Sequence, residues 1–229
     1  MTDSTITIIA ENAINYNSME EAYRLIEREA EIKDATGVDI FSKFQLYDKV
    51  VNPEHAEYCN ERQLDFKQAE ELFQFGADLG QTVFFTPMEV KYVEWCERLG
   101  VEYYKIRYHD RMNWKLHLKI TETMKKTFIS VDTSYHNYIM NHSTFIPLLC
   151  VPLYPATIWD YALLIEPDFY EKFQGISDHT PTMELFQKGL ENPIRYWEKH
   201  VRIGDGYLED DWSITLDSLE KALMEVSHD

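Results

Sequence analysis

Residues 82–106 read TVFFTPMEVKYVEWCERLGVEYYKI, and the order of patterns within them decides the fold. A short β-rich run, Thr82–Phe85, is followed by a helical segment, Glu89–Leu99, and then by a second β-rich run, Glu102–Ile106. Strand, helix and strand in that order make a crossover unit whose strands are parallel. The same alternation continues outward in both directions. Further strand candidates are Thr5–Ala10, Asp39–Leu46, Thr127–Val131, Phe145–Val151, Phe173–Ser177 and Ile194–Lys199, eight in all. Eight β/α units in a chain of 229 residues, roughly 29 apiece, suit a compact (β/α)8 TIM barrel, a class that typically runs to about 250 residues.

Helix signals support this reading. Ser18 begins S-M-E-E, a capping box with Glu21, and Ala22, Leu25, Ile26 and Ala30 form one apolar stripe behind it. Phe66–Leu79, Asn113–Lys125 and Leu216–Val226 carry similar patterns. The pieces after Asp132 and Pro155 are poor in pattern and read as shortened or distorted helices, and the connections after strands 2 and 5 read as short. No Gly/Ser linker or low-complexity tract divides residues 1–229, so a single domain is expected.

Composition narrows the function. A formal charge of −18 repels phosphate backbones, and without a basic stripe nucleic-acid binding is excluded. A small anion needs only a concentrated positive pocket. Cys59, Cys96 and Cys150 show no C-x-x-C spacing and read as reduced thiols of a cytoplasmic protein. No signal peptide and no apolar run of membrane-spanning length is visible, so no membrane association is expected.

Side chains alternate along a strand, and barrel interiors are normally apolar, so polar residues of inward parity matter. Ile9 and Glu11 share a face, as do Phe41, Lys43 and Gln45; Phe84 and Thr86; Tyr103, Lys105 and Arg107; Phe128, Ser130 and Asp132; Ser177 and His179; and Tyr196, Glu198 and His200. An inward lysine must be paired or lose its charge. Two readings of Lys43 and Lys105 stay open: a shared anion at the mouth, or internal salt bridges to Glu11 or Glu198. His179 and His200, at the ends of neighbouring strands, suit a divalent ion with carboxylate and water completing its shell, although a lone histidine is more often structural.

Seven segments in order at successive strand ends make the chain resemble the sialic acid synthase (N-acetylneuraminate synthase) family. They are IIAENAINYN at 8–17, SKFQLY at 42–47, FTPME at 85–89, EYYKI at 102–106, CVPLYPA at 150–156, GISDHT at 175–180 and WEKHV at 197–201. The resemblance implies condensation of phosphoenolpyruvate with an N-acylated amino sugar such as N-acetylmannosamine, giving a nonulosonic acid and phosphate. It implies a divalent metal, Mn2+ with Mg2+ or Co2+ as substitutes, held by His179 and His200. It places Lys43, Thr86, Lys105, Ser130 and Ser177 on phosphoenolpyruvate, and Glu11, Gln45, Asp110 and Tyr154 toward the sugar or the attacking water. Glu11 is the candidate for proton handling.

Three departures stand out. Arg107 and Tyr108 follow K-I where the family has a small residue and a serine, Pro152 stands where Asn or Ser is usual, and the family's P-D-H near the end is represented only by Glu209, Asp210 and Asp211. Arg107 has the geometry to contact phosphate in compensation. The chain ends without the C-terminal antifreeze-like domain of many relatives, which bears on the family's homodimer. A non-catalytic anion-binding or regulatory barrel, and a metal-dependent lyase or aldolase on another keto acid, are the competing expectations.

Overall fold

The computed structural model describes residues 6–48, 50, 54–134, 143–162, 172–189 and 194–226. Eight parallel strands follow one another around a closed sheet: β1 (Thr7–Ala13), β2 (Asp39–Leu46), β3 (Thr82–Pro87), β4 (Tyr103–Ile106), β5 (Lys126–Val131), β6 (Phe145–Cys150), β7 (Gly175–Asp178) and β8 (Tyr196–Arg202). Closure comes from β1, which pairs with β2 on one side and β8 on the other. The expected (β/α)8 barrel is therefore the fold, and sequence neighbours are sheet neighbours throughout. A two-residue β9 (Ile214–Thr215) extends β8 outside the barrel and had no signal in the sequence.

Around the strands lie α1 (Met19–Thr36), α2 (Ala56–Glu61), α3 (Phe66–Asp78), α4 (Val90–Leu99), α5 (Trp114–Thr121), α6 (Ile158–Ala162), α7 (Glu184–Gly189) and α8 (Leu216–Val226). The connection after β2 corrects the expectation of a short one, since it holds both α2 and α3. Residues 135–142, 163–171 and 190–193 lie outside the described residues, and with them much of the expected helix after Asp132. Helix α6 is described over Ile158–Ala162, and the continuation of the segment after Pro155 falls among residues 163–171, outside the described residues.

Local chemistry sets the helix ends. At α1, the Ser18 hydroxyl accepts from Glu21 N–H, but the Glu21 carboxylate reaches Asn17 N–H at 2.7 Å, so the box is displaced by one residue. Asp65 and Gln68 form the complete reciprocal box at α3. The helix expected over Asn113–Lys125 stops at Thr121, and Met124, at φ 57°, turns the chain toward β5. On α1 the buried stripe contains Glu29 rather than Ala30, because Glu29 hydrogen-bonds the outward-facing Ser42 of β2. Among the described residues, no helix is long and apolar enough to cross a membrane.

Inside the barrel, the N-terminal end is closed by rings. Phe41, Phe84, Tyr103, Phe128 and Tyr196 contact one another, with Tyr103 stacked on Phe128 at 5.7 Å and Phe128 edge-on to Tyr196 at 4.9 Å. This plug excludes water from below and lowers the dielectric beneath the next inward layer. That layer is charged.

Candidate active site

One residue pair further along the strands, the apolar pattern breaks. Glu11, Lys43, Lys105 and Glu198 are each at most 4% exposed and form an alternating chain of charge. The Lys43 ammonium pairs with Glu11 and lies 2.5 Å from Glu198, whose second oxygen is 3.2 Å from Lys105. Lys105 also donates to Ser130 at 2.7 Å. Burial opposes every one of these charges, and the pairing decides which survive. Burial is outweighed at Glu198, where Lys105 and Lys43 hold the carboxyl well below the usual range. Burial is likewise overcome at Lys43 by its two carboxylates, which raise it, whereas at Lys105 burial prevails and lowers it. Both lysines are thus inward, and each engages a carboxylate named as an alternative partner: Lys43 both Glu11 and Glu198, Lys105 only Glu198.

Above this floor a cavity of about 350 Å3 opens at the C-terminal ends of the strands. Its wall includes Glu11, Gln45, Lys105, Arg107, Tyr108, Ser130, Tyr154, Ser177, His179 and His200. The structure therefore brings together nine of the twelve residues singled out as site candidates. Lys43 lies beneath the floor, and Thr86, buried with no hydrogen-bond partner for its hydroxyl among the described residues, lies outside the wall. Asp110 pairs with Arg107 and lines an adjoining cavity that shares Gln45 and Arg107 with the first.

The two imidazoles sit 5.4 Å apart between ring centroids, a separation that two bonds of about 2 Å to one ion can bridge. His179 Nδ1 lies 2.9 Å from the Val151 carbonyl, which can only accept, so that nitrogen carries the proton. His200 Nδ1 donates to the Glu209 carboxylate at 2.8 Å. Both rings are oriented through Nδ1, and no hydrogen bond to either Nε2 is made among the described residues, the arrangement of ligating histidines. Burial pushes the His179 pKa down to about 3, helped by neighbouring His200, so the ring is neutral. At His200, Glu209 more than offsets burial and raises the pKa. Among the described residues, no group of three or more His, Cys, Asp or Glu side chains converges to hold a metal. The carboxylate expected to complete the shell is therefore not in place, and the two imidazoles suit a divalent ion only as an open site whose other ligands come from water or substrate.

Parity reasoning pointed to the inward polar layer and not to what closes the site from other elements, where Glu209 stands out in the sequence only as a departure from P-D-H. Glu209 and Trp212 come from the segment after β8, and Cys150 ends β6 between Ser130 and Ser177. The Tyr154 ring lies 4.2 Å from His179 and 5.5 Å from Trp212. At the rim, the Tyr108 hydroxyl donates to Asp132 at 2.6 Å and Arg111 stacks on its ring at 3.7 Å, so the phenol that replaces a small hydroxyl is anchored.

The NeuB family model matches residues 30–226. A search of curated proteins gives no match to the sequence. Among solved structures, the chain is similar to an N-acetylneuraminic acid (sialic acid) synthetase from Leptospira borgpetersenii serovar Hardjo-bovis in complex with citrate, at 23% identity and TM-score 0.86, covering 97% of this chain and 82% of that one. It is also similar to a putative spore coat polysaccharide biosynthesis protein E from Chromobacterium violaceum, at 18% identity and TM-score 0.82, over 97% and 74% of the two chains. A spore coat polysaccharide biosynthesis protein from Bacillus subtilis matches at 18% identity and TM-score 0.75, over 99% and 69%. These likenesses carry the barrel, and the family match spans most of the sequence: the chain belongs to the NeuB family.

Proposed function

We propose that this protein is a phosphoenolpyruvate-dependent sugar acid synthase, which condenses phosphoenolpyruvate with an N-acylated amino sugar to a sialic-acid-like 3-deoxy acid and phosphate. The observation that carries the reading is one cavity with a lysine and two serines at its floor and, at its wall, two imidazoles whose Nε2 atoms make no hydrogen bond among the described residues. Family membership, and the similar structure described as a sialic acid synthetase, support it.

In this reading Lys105, Ser130 and Ser177 bind the phosphate and carboxylate of phosphoenolpyruvate, with Lys43 holding Glu11 and Glu198 in place below. His179 and His200 would hold a divalent ion, Mn2+ by ligand chemistry, which when bound supplies Lewis acidity at the acceptor's aldehyde oxygen. Its charge also matters electrostatically, because Lys43 and Lys105 are balanced by Glu11 and Glu198. Gln45 and Tyr154 orient the sugar so that the methylene carbon of phosphoenolpyruvate bonds to the aldehyde carbon. The former aldehyde oxygen takes up a proton to become a hydroxyl, and Glu11 takes a proton from the water that adds at C2. The C2–O bond to phosphate then breaks, so that phosphate leaves with its bridging oxygen and C2 becomes the keto carbon.

The test is phosphate release from phosphoenolpyruvate with a panel of N-acylated hexosamines and Mn2+. In oxygen-18 water the label should enter the C2 oxygen of the product and be absent from phosphate. Tyr108 replaces one small hydroxyl, a loss of about 1.5 to 3 kcal/mol that slows turnover by about ten- to a hundredfold without abolishing it. No release with any sugar at saturating metal would favour a non-catalytic barrel. That alternative draws on the anchored Tyr108 and on the carboxylates that neutralise both lysines.

A further inference from the structure

Among the residues of the GISDHT and WEKHV segments that take no part in the cavity are two buried charges, Asp178 and Lys199, which immediately precede His179 and His200. Alternation along the strands turns them outward, beneath the helices, where both are 0% exposed. They are register partners across β7 and β8, with the ammonium 3.3 Å from the carboxylate. Both also hold Thr180, the residue that follows His179. Asp178 accepts from Thr180 N–H at 2.7 Å, and Lys199 donates to the Thr180 carbonyl.

A packing role does not call for this chemistry. The neighbouring outward positions Ile176 and Val201 are apolar and buried, and although the buried Trp197 indole N–H donates to Asp178 at 3.2 Å, that bond needs an acceptor and not an ammonium. Apolar replacement of a buried ion pair is often neutral or stabilising. What the pair adds is direction. One polar group of the backbone after His179 is tied to its own strand, and the other is tied to the strand that carries His200.

We infer that the buried Asp178–Lys199 pair is a positioning device that sets the placement of the two imidazoles, by fastening the His179 turn to β8. It rests on the proposed metal site for one of its two readouts, metal affinity, and not for the other.

The experiment compares wild type with Lys199→Met and with the charge-free double variant Asp178→Asn, Lys199→Met. The double variant keeps an acceptor for Thr180 N–H, leaves no lone buried charge, and releases the grip on the carbonyl together with the oxygen that accepts from Trp197 N–H, so Trp197→Phe, which keeps the pair and removes that N–H, is the control. Nitrogen-15 NMR of the histidine rings in metal-free protein reads the His179 tautomer, and calorimetry with Mn2+ reads affinity. Wild type should hold the proton on Nδ1 alone. The folded double variant should show mixed tautomers and bind Mn2+ at least about tenfold more weakly, with thermal stability little changed. A folded double variant with the wild-type tautomer overturns the inference, and so does one that cannot fold, since the pair is then needed for the fold itself. Wild type that binds no Mn2+ overturns the metal reading alone, and the tautomer still decides the positioning role.

Discussion

At the scale of single residues, the molecule concentrates its cost in buried charge. Lys43 neutralises two carboxylates and Lys105 assists at one. Removing one member of a buried pair typically costs about 3 to 5 kcal/mol because its partner is left uncompensated. Lys43→Met should therefore lower stability by about that much, and Lys105→Met by clearly less, since Glu198 keeps Lys43. Urea unfolding of both variants checks the order, and equal costs would show that the two lysines share the load. Glu29 presents the opposite case. Burial raises its pKa from 4.5 to about 8, and Ser42 offers only a hydroxyl in return. The folded state thus holds the proton more tightly than the unfolded one, so Glu29 contributes fully below about pH 4 and its contribution is lost as pH rises through about 8. Glu29→Gln should gain on wild type by on the order of 3 kcal/mol between pH 5 and pH 8. Denaturant midpoints at those two pH values measure it, and a constant difference would mean that water reaches the carboxyl.

At the scale of elements, β7 and β8 carry the imidazoles and meet without room for a side chain at Gly175. A Cβ at Gly175 would sit 2.1 Å from the Tyr196 carbonyl oxygen, a backbone atom that no rotamer can move aside. Gly175→Ala should therefore cost at least about 2 kcal/mol and displace His179 along with its strand. Thermal unfolding combined with Mn2+ titration would register both, whereas a stable variant with unchanged affinity would mean that β7 can shift without disturbing the site. Helix ends need less from the rest of the structure, since Ser18 and Asp65 cap α1 and α3 with bonds made inside a few residues.

Across the whole molecule, a net charge of −18 works against compactness. The inner charges balance, so the excess lies in the outer shell, where ionic strength reaches it. Raising salt from about 0.01 to about 0.15 M should stabilise the protein by on the order of 1 kcal/mol, or about 2 to 4 °C in Tm. A fall in Tm over the same range would mean that surface ion pairs, such as Arg28 with Glu31, Asp217 and Glu220, outweigh the general repulsion.

Alternating patterns and the parity of polar residues were enough to determine the barrel and the inward set of Lys43, Lys105, Ser130, Ser177, His179, Glu198 and His200, because strand periodicity is a local property of the chain. Strand ends were less legible. β1 runs on to Ala13 and β8 to Arg202, since pairing with neighbours, and not propensity, decides where a ladder stops. Nor did periodicity show the two helices after β2 as separate elements. Only the tertiary structure decided that Lys43 pairs with Glu11 and Glu198 and Lys105 with Glu198, and that Glu209 and Trp212 complete the wall. It also decided that Asp178 and Lys199 grip the turn between the histidines. Each of these depends on which residues from distant strands meet in three dimensions at low dielectric, and no spacing along the chain encodes that.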